Sequence, residues 1–276
     1  MGIGLVLLDL DGTMLTSEKQ ISPATYAAME RASAMGVHIV PCTGRFYRAI
    51  PQVVRDLPFV RYFITVNGAG VWDRTEDNML YRAEIPIERG LELFDFMDTL
   101  PVIYDCFVEG TTAWMARENY ERIDQFVFVP KDNEMVKRLR TPVDDLRKQV
   151  REQGSTIQKT QMFFADIEER NRMLPIIRAR VPDLNVSTSL VNNIEFTVPS
   201  ASKGEALRFL ANHLGVAVAD TMAFGDMDND CSMIEAAGIG VAMGNAEAPL
   251  KELADHITDT NNNDGVAKAF EKFVFA

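Results

Sequence analysis

The chain is poor in the features that would tie it to an oxidising compartment, a membrane or a nucleic acid. It has three cysteines in 276 residues, Cys42, Cys106 and Cys231. They are too few and too scattered for a disulfide framework or a zinc site, and buried structural thiols are expected instead. Histidine is equally scarce, and His38, His213 and His256 lie in no motif. No apolar run approaches the roughly 18 to 20 residues that span a bilayer. The start, Met1-Gly2-Ile3-Gly4, lacks the basic region of a secretory signal, and Val6 stands where a myristoylation signal needs Ser or Thr. Basic charge is short as well. Lys and Arg number 28 against 40 Asp and Glu, a net charge of -12, which leaves no broad basic face for nucleic-acid phosphates. The expectation is a cytoplasmic protein with neither a membrane nor a nucleic-acid partner; composition is silent on oligomeric state. Acidity does not bar a small anionic substrate, because a bound divalent cation reverses the local field.

What the chain has is a globular composition, 47% hydrophobic and 25% charged, in a length that suits one large domain or two modest ones. Apolar strand-like runs alternate with helical patterns near the N-terminus, which favours βαβ units and a parallel sheet. Gly4-Leu5-Val6-Leu7-Leu8 ends at Asp9-Leu10-Asp11-Gly12-Thr13, Val37 to Cys42 ends at Thr43-Gly44-Arg45, and Tyr62 to Val66 ends at Asn67-Gly68-Ala69. Between the first two, Ser22-Pro23 opens a helix and Gly36 follows its end. The register changes near Leu80. From there to about Val198 helices mix with paired strands, such as Val102–Val108 and Thr112–Ala116 around Glu109-Gly110, followed by Gln161–Ala165 and Ile194–Val198. This pattern predicts an α+β insertion. Parallel-type patterning returns with a helix from Lys203 to Leu214 closed by Gly215, a strand Thr221–Phe224 ending at Gly225-Asp226, and a strand Gly238–Met243.

Asp9 and Asp11 would point the same way from a strand end, the place where open α/β sheets put their ligands. Two such carboxylates repel unless a cation or a shared proton compensates. Asp226, Asp228 and Asp230 form a second acidic cluster, Thr43 and Gly44 offer a hydroxyl and an amide, and Lys203 places a cation at a helix start. A hard divalent ion with oxygen ligands, Mg²⁺, reconciles the acids. Together with Thr43, Lys203 and a helix N-terminus it would form a phosphate receptor, beside which an Asp nucleophile implies an aspartyl-phosphate.

Four motifs in order, Asp9-Leu10-Asp11-Gly12-Thr13, Thr43-Gly44-Arg45, Ser202-Lys203-Gly204 and Gly225-Asp226-Met227-Asp228-Asn229-Asp230, resemble those of the haloacid dehalogenase-like superfamily. The resemblance runs nearly end to end. Only 29 residues lie between Thr13 and Thr43, too few for an inserted cap, whereas residues 46–202 exceed what the core needs. The resemblance therefore implies a Cof-like protein with a type IIB cap. The fold implied is a doubly wound, Rossmann-like parallel core over residues 1–82 and 196–276, with an α/β cap over 83–195 that sets specificity. It also implies that Asp9 attacks phosphorus and Asp11 handles protons. Asp9, the Asp11 carbonyl and Asp226 would hold Mg²⁺; Thr43, Gly44, Lys203 and Asn229 would hold the phosphoryl oxygens; Asp230 would orient Lys203 from behind. The activity implied is hydrolysis of a phosphate monoester on a small phosphorylated metabolite, with a sugar phosphate favoured.

Blander readings weaken against that set. Asp226 onward fails as a calcium loop, since its sixth position is Cys231 and its twelfth is Ala237. Gly238, Gly240 and Gly244 are mis-spaced for a dinucleotide fingerprint. Arg45 and Arg48 suit either a substrate contact or a solvated surface, and Trp114 and Phe163 suit core positions. Two alternatives stay open: a sugar phosphomutase, which would need a bisphosphate intermediate, and a non-catalytic sensor of phosphorylated metabolites, for which Asp11 would be superfluous.

Overall fold

The computed structural model describes residues 2–154 and 157–276. Strands β1 (Leu5–Leu8), β2 (His38–Pro41), β3 (Tyr62–Thr65), β4 (Gly70–Asp73) and β5 (Asn78–Arg82) come first. Then follow β6 (Val102–Val108), β7 (Thr112–Ala116), β8 (Thr141–Val143), β9 (Ile157–Phe164), β10 (Asn185–Ser187) and β11 (Asn193–Thr197). The last are β12 (Thr221–Gly225), β13 (Ile239–Ala242) and β14 (His256–Ile257). The chain forms two compact units. One holds the chain up to Arg45, Ile50–Tyr81 and Ala201–Ala276; the other holds Phe46–Ala49 and Arg82–Ser200.

The first unit is built on a parallel sheet of order β14-β13-β12-β1-β2. Every residue of β1 is buried, as expected of a central strand covered on both faces. Leu8 is level with Phe224 of β12 and with Pro41 of β2, so Asp9, Gly225 and Cys42 follow side by side at the carboxyl ends of the three strands. The third strand, read from sequence over Tyr62 to Val66, is β3, and it also heads an antiparallel sheet of order β3-β4-β5. It meets the end of β2 at a parallel Cys42–Ile64 bridge, where the Thr43 amide donates to the Ile64 carbonyl, and the chain then turns back through Gly70–Asp73. Helix Pro23–Ala34 starts on the Ser22 hydroxyl, which accepts from the Thr25 amide, and helix Lys203–Leu214 starts on Ser202, which accepts from the Glu205 amide. Gly215 ends the second helix in the left-handed conformation.

The second unit has a mixed sheet of order β10-β11-β9-β6-β7-β8, antiparallel except for the parallel β7–β8 pair. Helices Ile87–Met97, Leu146–Gln153 and Ile167–Arg180 accompany it, and Pro175 lies within the last. One sheet face, with Val102, Tyr104, Cys106, Val108, Met162, Phe164, Ile194 and Phe196, joins the main apolar core of this unit. This unit runs to Ser200 because β11 pairs with β9, so the core resumes at Ala201 and not at residue 196. Trp114 and Phe163 are buried core residues. All three cysteines are free, Cys42 and Cys106 buried and Cys231 half-buried. Among the described residues no helix is long and apolar enough to cross a membrane.

Candidate active site

The site gathers at the carboxyl ends of β1 and β12, neighbours at the centre of the parallel sheet. The Asp9 amide donates to the Phe224 carbonyl at 3.1 Å, which fixes the first carboxylate against the end of β12. Asp9, Asp226 and Asp230 each bring a carboxylate oxygen within 4.8 Å of the other two, and all three are buried. One buried cation faces them. Lys203 Nζ donates to Asp9 Oδ1 at 2.6 Å and to Asp230 Oδ1 at 2.5 Å.

The cluster is unbalanced, three acids to one lysine, and the protonation equilibria register it. Burial, reinforced by Asp230 and Asp226 and only partly offset by Lys203, raises the Asp9 carboxyl far above the usual range. Asp226 is pushed up to about 6, by burial first and by Asp230 second. Lys203 moves the other way: burial alone would lower its pKa, but Asp230 and Asp9 raise it, so it stays charged. Asp230 has no free oxygen, because Oδ1 takes Lys203 while Oδ2 accepts the amides of Asp226 and Met227 at 2.9 and 3.1 Å. Within the cluster its hydrogen bonds join the lysine to the loop.

A divalent cation suits what is left over. The donors are hard carboxylate oxygens that carry more negative charge than one lysine cancels. Gly12 lies against Asp226 with φ +87°, and a Cβ there would fall far inside van der Waals contact with Asp226 Oδ2. The close approach of the first loop to this carboxylate therefore requires glycine. Thr13 Oγ1 donates to Asp226 Oδ1 at 3.3 Å, and Asn245 Nδ2 donates to the Gly12 carbonyl at 2.8 Å.

Asp11 stands apart from the cluster. It is part exposed, and its oxygens pair with Lys19 at 2.7 Å and with Arg45 at 2.9 Å and 3.0 Å. Burial alone would raise its pKa, but Arg45 and Lys19 outweigh burial and lower it. Thr43 is buried, its amide held by the Ile64 carbonyl at 2.9 Å, and the Arg45 amide donates to Thr43 Oγ1 at 3.3 Å. Gly44 lies beside the Asn67 side chain, whose Oδ1 accepts from Asn229 Nδ2 at 3.1 Å. Gly68, at φ +94°, packs on the backbone of Ser202 and Lys203, where a side chain would collide with the helix start. Asp228 and Asn229 are exposed, and Asp228 is outside the acid cluster. Lys19, Thr13, Asn67 and Asn245 were not singled out for the site from sequence. Asn67 and Asn245 did carry a signal, since each sits in a glycine-containing turn at a strand end.

A parallel α/β sheet with a buried acid cluster and a lysine at its strand ends defines an enzyme of phosphoryl transfer. The family profile of haloacid dehalogenase-like hydrolases matches residues 6–270, and the chain belongs to that family, as a phosphatase of its Cof-like group. It is 31% identical over 275 residues to the 5-amino-6-(5-phospho-D-ribitylamino)uracil phosphatase YcsE of Bacillus subtilis, covering 99% of this chain and 96% of that one. It is 30% identical to phosphatase YwpJ of the same organism, covering 95% and 97%. Among solved structures, a haloacid dehalogenase-like hydrolase from Bacteroides thetaiotaomicron superposes with a TM-score of 0.83 at 26% identity, covering 98% of this chain and 99% of that one. TM0651 from Thermotoga maritima gives 0.83 at 26%, covering 99% and 97%.

Proposed function

We propose that the protein hydrolyses the phosphate monoester of a small metabolite with Mg²⁺ as cofactor, the leaving group being a sugar or a related polyol. The observation that carries the reading is the buried Asp9 carboxylate, held 2.6 Å from Lys203 and clustered with Asp226 at the end of the central strand. The resemblance to YcsE, named for a substrate whose phosphate sits on a ribityl chain, supports the choice of leaving group.

In this reading an Asp9 oxygen attacks phosphorus and the bond from phosphorus to the leaving oxygen breaks. Asp11 gives that oxygen its proton. Water then attacks the aspartyl-phosphate, Asp11 takes a proton back, and inorganic phosphate leaves with Asp9 restored. Arg45 and Lys19 hold Asp11 ionised in the resting site, the form that accepts a proton from water. The incoming phosphoryl dianion competes for Arg45 and so lets Asp11 carry the proton that the first step needs. Thr43, the Gly44 amide, Lys203 and Asn229 receive the phosphoryl oxygens, and Asp230 keeps Lys203 in place. Asp9, Asp226 and the Asp11 carbonyl would hold Mg²⁺, which when bound supplies positive charge to the phosphoryl oxygens.

The test is turnover of p-nitrophenyl phosphate with Mg²⁺, with and without chelator, in the wild type and in Asp9→Asn. Chelation and the substitution should each abolish turnover while circular dichroism stays native. Wild-type rates in Asp9→Asn would refute the nucleophile assignment.

A further inference from the structure

The loop that follows β1 is pinned at Gly12, Leu15 and Ser17 by asparagines from the far end of the chain. Asn245 Nδ2 donates to the Gly12 carbonyl and Asn261 Nδ2 to the Leu15 carbonyl, each at 2.8 Å. Asn262 grips Ser17 twice: its Oδ1 accepts the Ser17 amide at 3.0 Å, and its Nδ2 donates to Ser17 Oγ at 2.8 Å. The Asn261 amide donates to Asn245 Oδ1 at 3.0 Å, which ties the clamping loops to each other. Beyond Ser17 the pinned loop closes on itself. The Thr16 amide donates to the Gln20 carbonyl at 2.8 Å, and the Lys19 amide donates to the Thr16 carbonyl at 2.9 Å. Lys19 occupies this turn at φ +59°, a left-handed conformation that glycine or asparagine adopts at less cost. From there its Nζ reaches Asp11 Oδ1 at 2.7 Å, while Arg45 holds Asp11 Oδ2 at 2.9 and 3.0 Å. All of these residues belong to the first unit.

We propose that Lys19 is a positioning residue for the proton transfers of Asp11, keeping Oδ1 while Oδ2 exchanges Arg45 for the proton that goes to the leaving oxygen. The inference rests on the phosphatase reading above and adds to it a residue outside the four motifs. Stability does not account for this lysine. An ion pair as exposed as Lys19–Asp11 contributes little to folding, and the turn itself would be better served by glycine. The asparagine clamp points the same way: it fixes the backbone from which a long, flexible side chain must reach a single oxygen. The unequal partners of the two Asp11 oxygens then divide the work. When the phosphoryl dianion draws Arg45 away, Oδ2 is released while Oδ1 stays anchored, so the carboxyl is kept from swinging out of line. In the first step the proton passes from Oδ2 to the leaving oxygen as its bond to phosphorus breaks and the bond from Asp9 forms. In the second, Oδ2 takes a proton from the attacking water as the Asp9–phosphorus bond breaks. Anchoring supplies in advance an orientation that a freely rotating acid would have to find in each transition state.

The test is the dependence of kcat/KM on the leaving group, measured with Mg²⁺ on p-nitrophenyl phosphate and phenyl phosphate. The two differ little in shape. The nitrophenolate departs readily without a proton, whereas the phenol oxygen, as basic as that of tyrosine, needs one. Because kcat/KM covers the steps up to departure of that oxygen, the ratio of the two values reads how well Asp11 delivers its proton. Lys19→Met should raise the ratio, p-nitrophenyl over phenyl, at least tenfold, with circular dichroism native. Lys19→Arg should bring it back to within threefold of the wild type. Asn262→Ala, which touches only the clamp, should raise it by a smaller factor and serves as the second variant if Lys19→Met does not fold. An unchanged ratio in Lys19→Met, or equal losses on both substrates, would overturn the proposal, the latter because Lys19 would then be serving phosphoryl binding or the fold. Failure of the wild type to hydrolyse p-nitrophenyl phosphate, or a wild-type ratio in Asp11→Asn, would instead overturn the reading beneath it.

Discussion

Replacing Asp226 with Asn should make the metal-free protein more stable while destroying its activity, and the size of the gain follows from the acid cluster. In the folded protein Asp226 titrates near 6 against 3.8 for a free carboxyl, because burial and Asp230 penalise its charge more than Lys203 favours it. The sign is that of a raised acid. Below 3.8 the group is protonated in both states and carries no penalty. As pH rises through about 6 the folded state must give up a proton it holds better than the unfolded chain does, and stability falls. Above that range the loss is complete, and the shift corresponds to about 3 kcal/mol at ~1.4 kcal/mol per pH unit. Asn keeps the shape and still accepts from Thr13 Oγ1, so it should recover part of this, on the order of 1–3 kcal/mol at pH 8 and almost none at pH 3 to 4. Urea denaturation of chelator-treated wild type and Asp226→Asn at both pH values measures it. Adding Mg²⁺ should stabilise the wild type by mass action and leave the variant little changed. A variant no more stable than wild type at pH 8 without metal, or equal stabilisation of both by Mg²⁺, would refute the charge argument.

Lys203→Met leaves the Asp9 and Asp230 carboxylates buried without their cation; a loss of about 3–5 kcal/mol is expected by thermal or urea denaturation, together with loss of turnover. Gly12→Ala forces a side chain into left-handed backbone, at a cost of about 1–2 kcal/mol from conformation alone. It also pushes on Asp226, so the apparent Mg²⁺ affinity should fall more than stability does, which titration calorimetry would show. Glu195 is lowered in the second unit: burial alone would raise it, but Lys159, Ser189 and Asn193 outweigh burial. Its stabilising contribution is complete above its unfolded value of 4.5 and is lost as pH falls through the lower folded value, so Glu195→Gln should flatten the acid limb of the stability profile below pH 4.5. An unchanged acid limb would count against the Lys159–Glu195 pair as a source of acid lability.

The motif positions were legible because each is tied to a local event. A buried strand ends, a glycine or a cap follows, and polar residues gather where no core position could hold them. Helix Lys203–Leu214 was readable at both ends from Ser202 and Gly215. Asp11 was harder to read, since its partners Lys19 and Arg45 come from two separate loops and no spacing rule joins them. Tyr62–Thr65 was readable as a strand but its antiparallel neighbour Gly70–Asp73 was not, because an apolar run of four looks the same in a parallel sheet and in a hairpin. In the second unit Asp105, Lys159 and Glu195 read as ordinary alternating strand residues, with nothing to say that they share a face.

Sequence alone therefore determined the chemistry available to this protein: two acids on one strand end, a lysine at a helix start, and an insertion too long for the core. Those features depend on residue type and on neighbours a few positions away. The tertiary structure decided the charge balance. It set three carboxylates around one lysine, gave Asp230 to that lysine, and paired Asp11 with cations from elsewhere in the chain. It also laid Asp105, Gln161 and Glu195 in a single buried row. Burial and register act between residues far apart in the chain, and the energy of a charge depends on both.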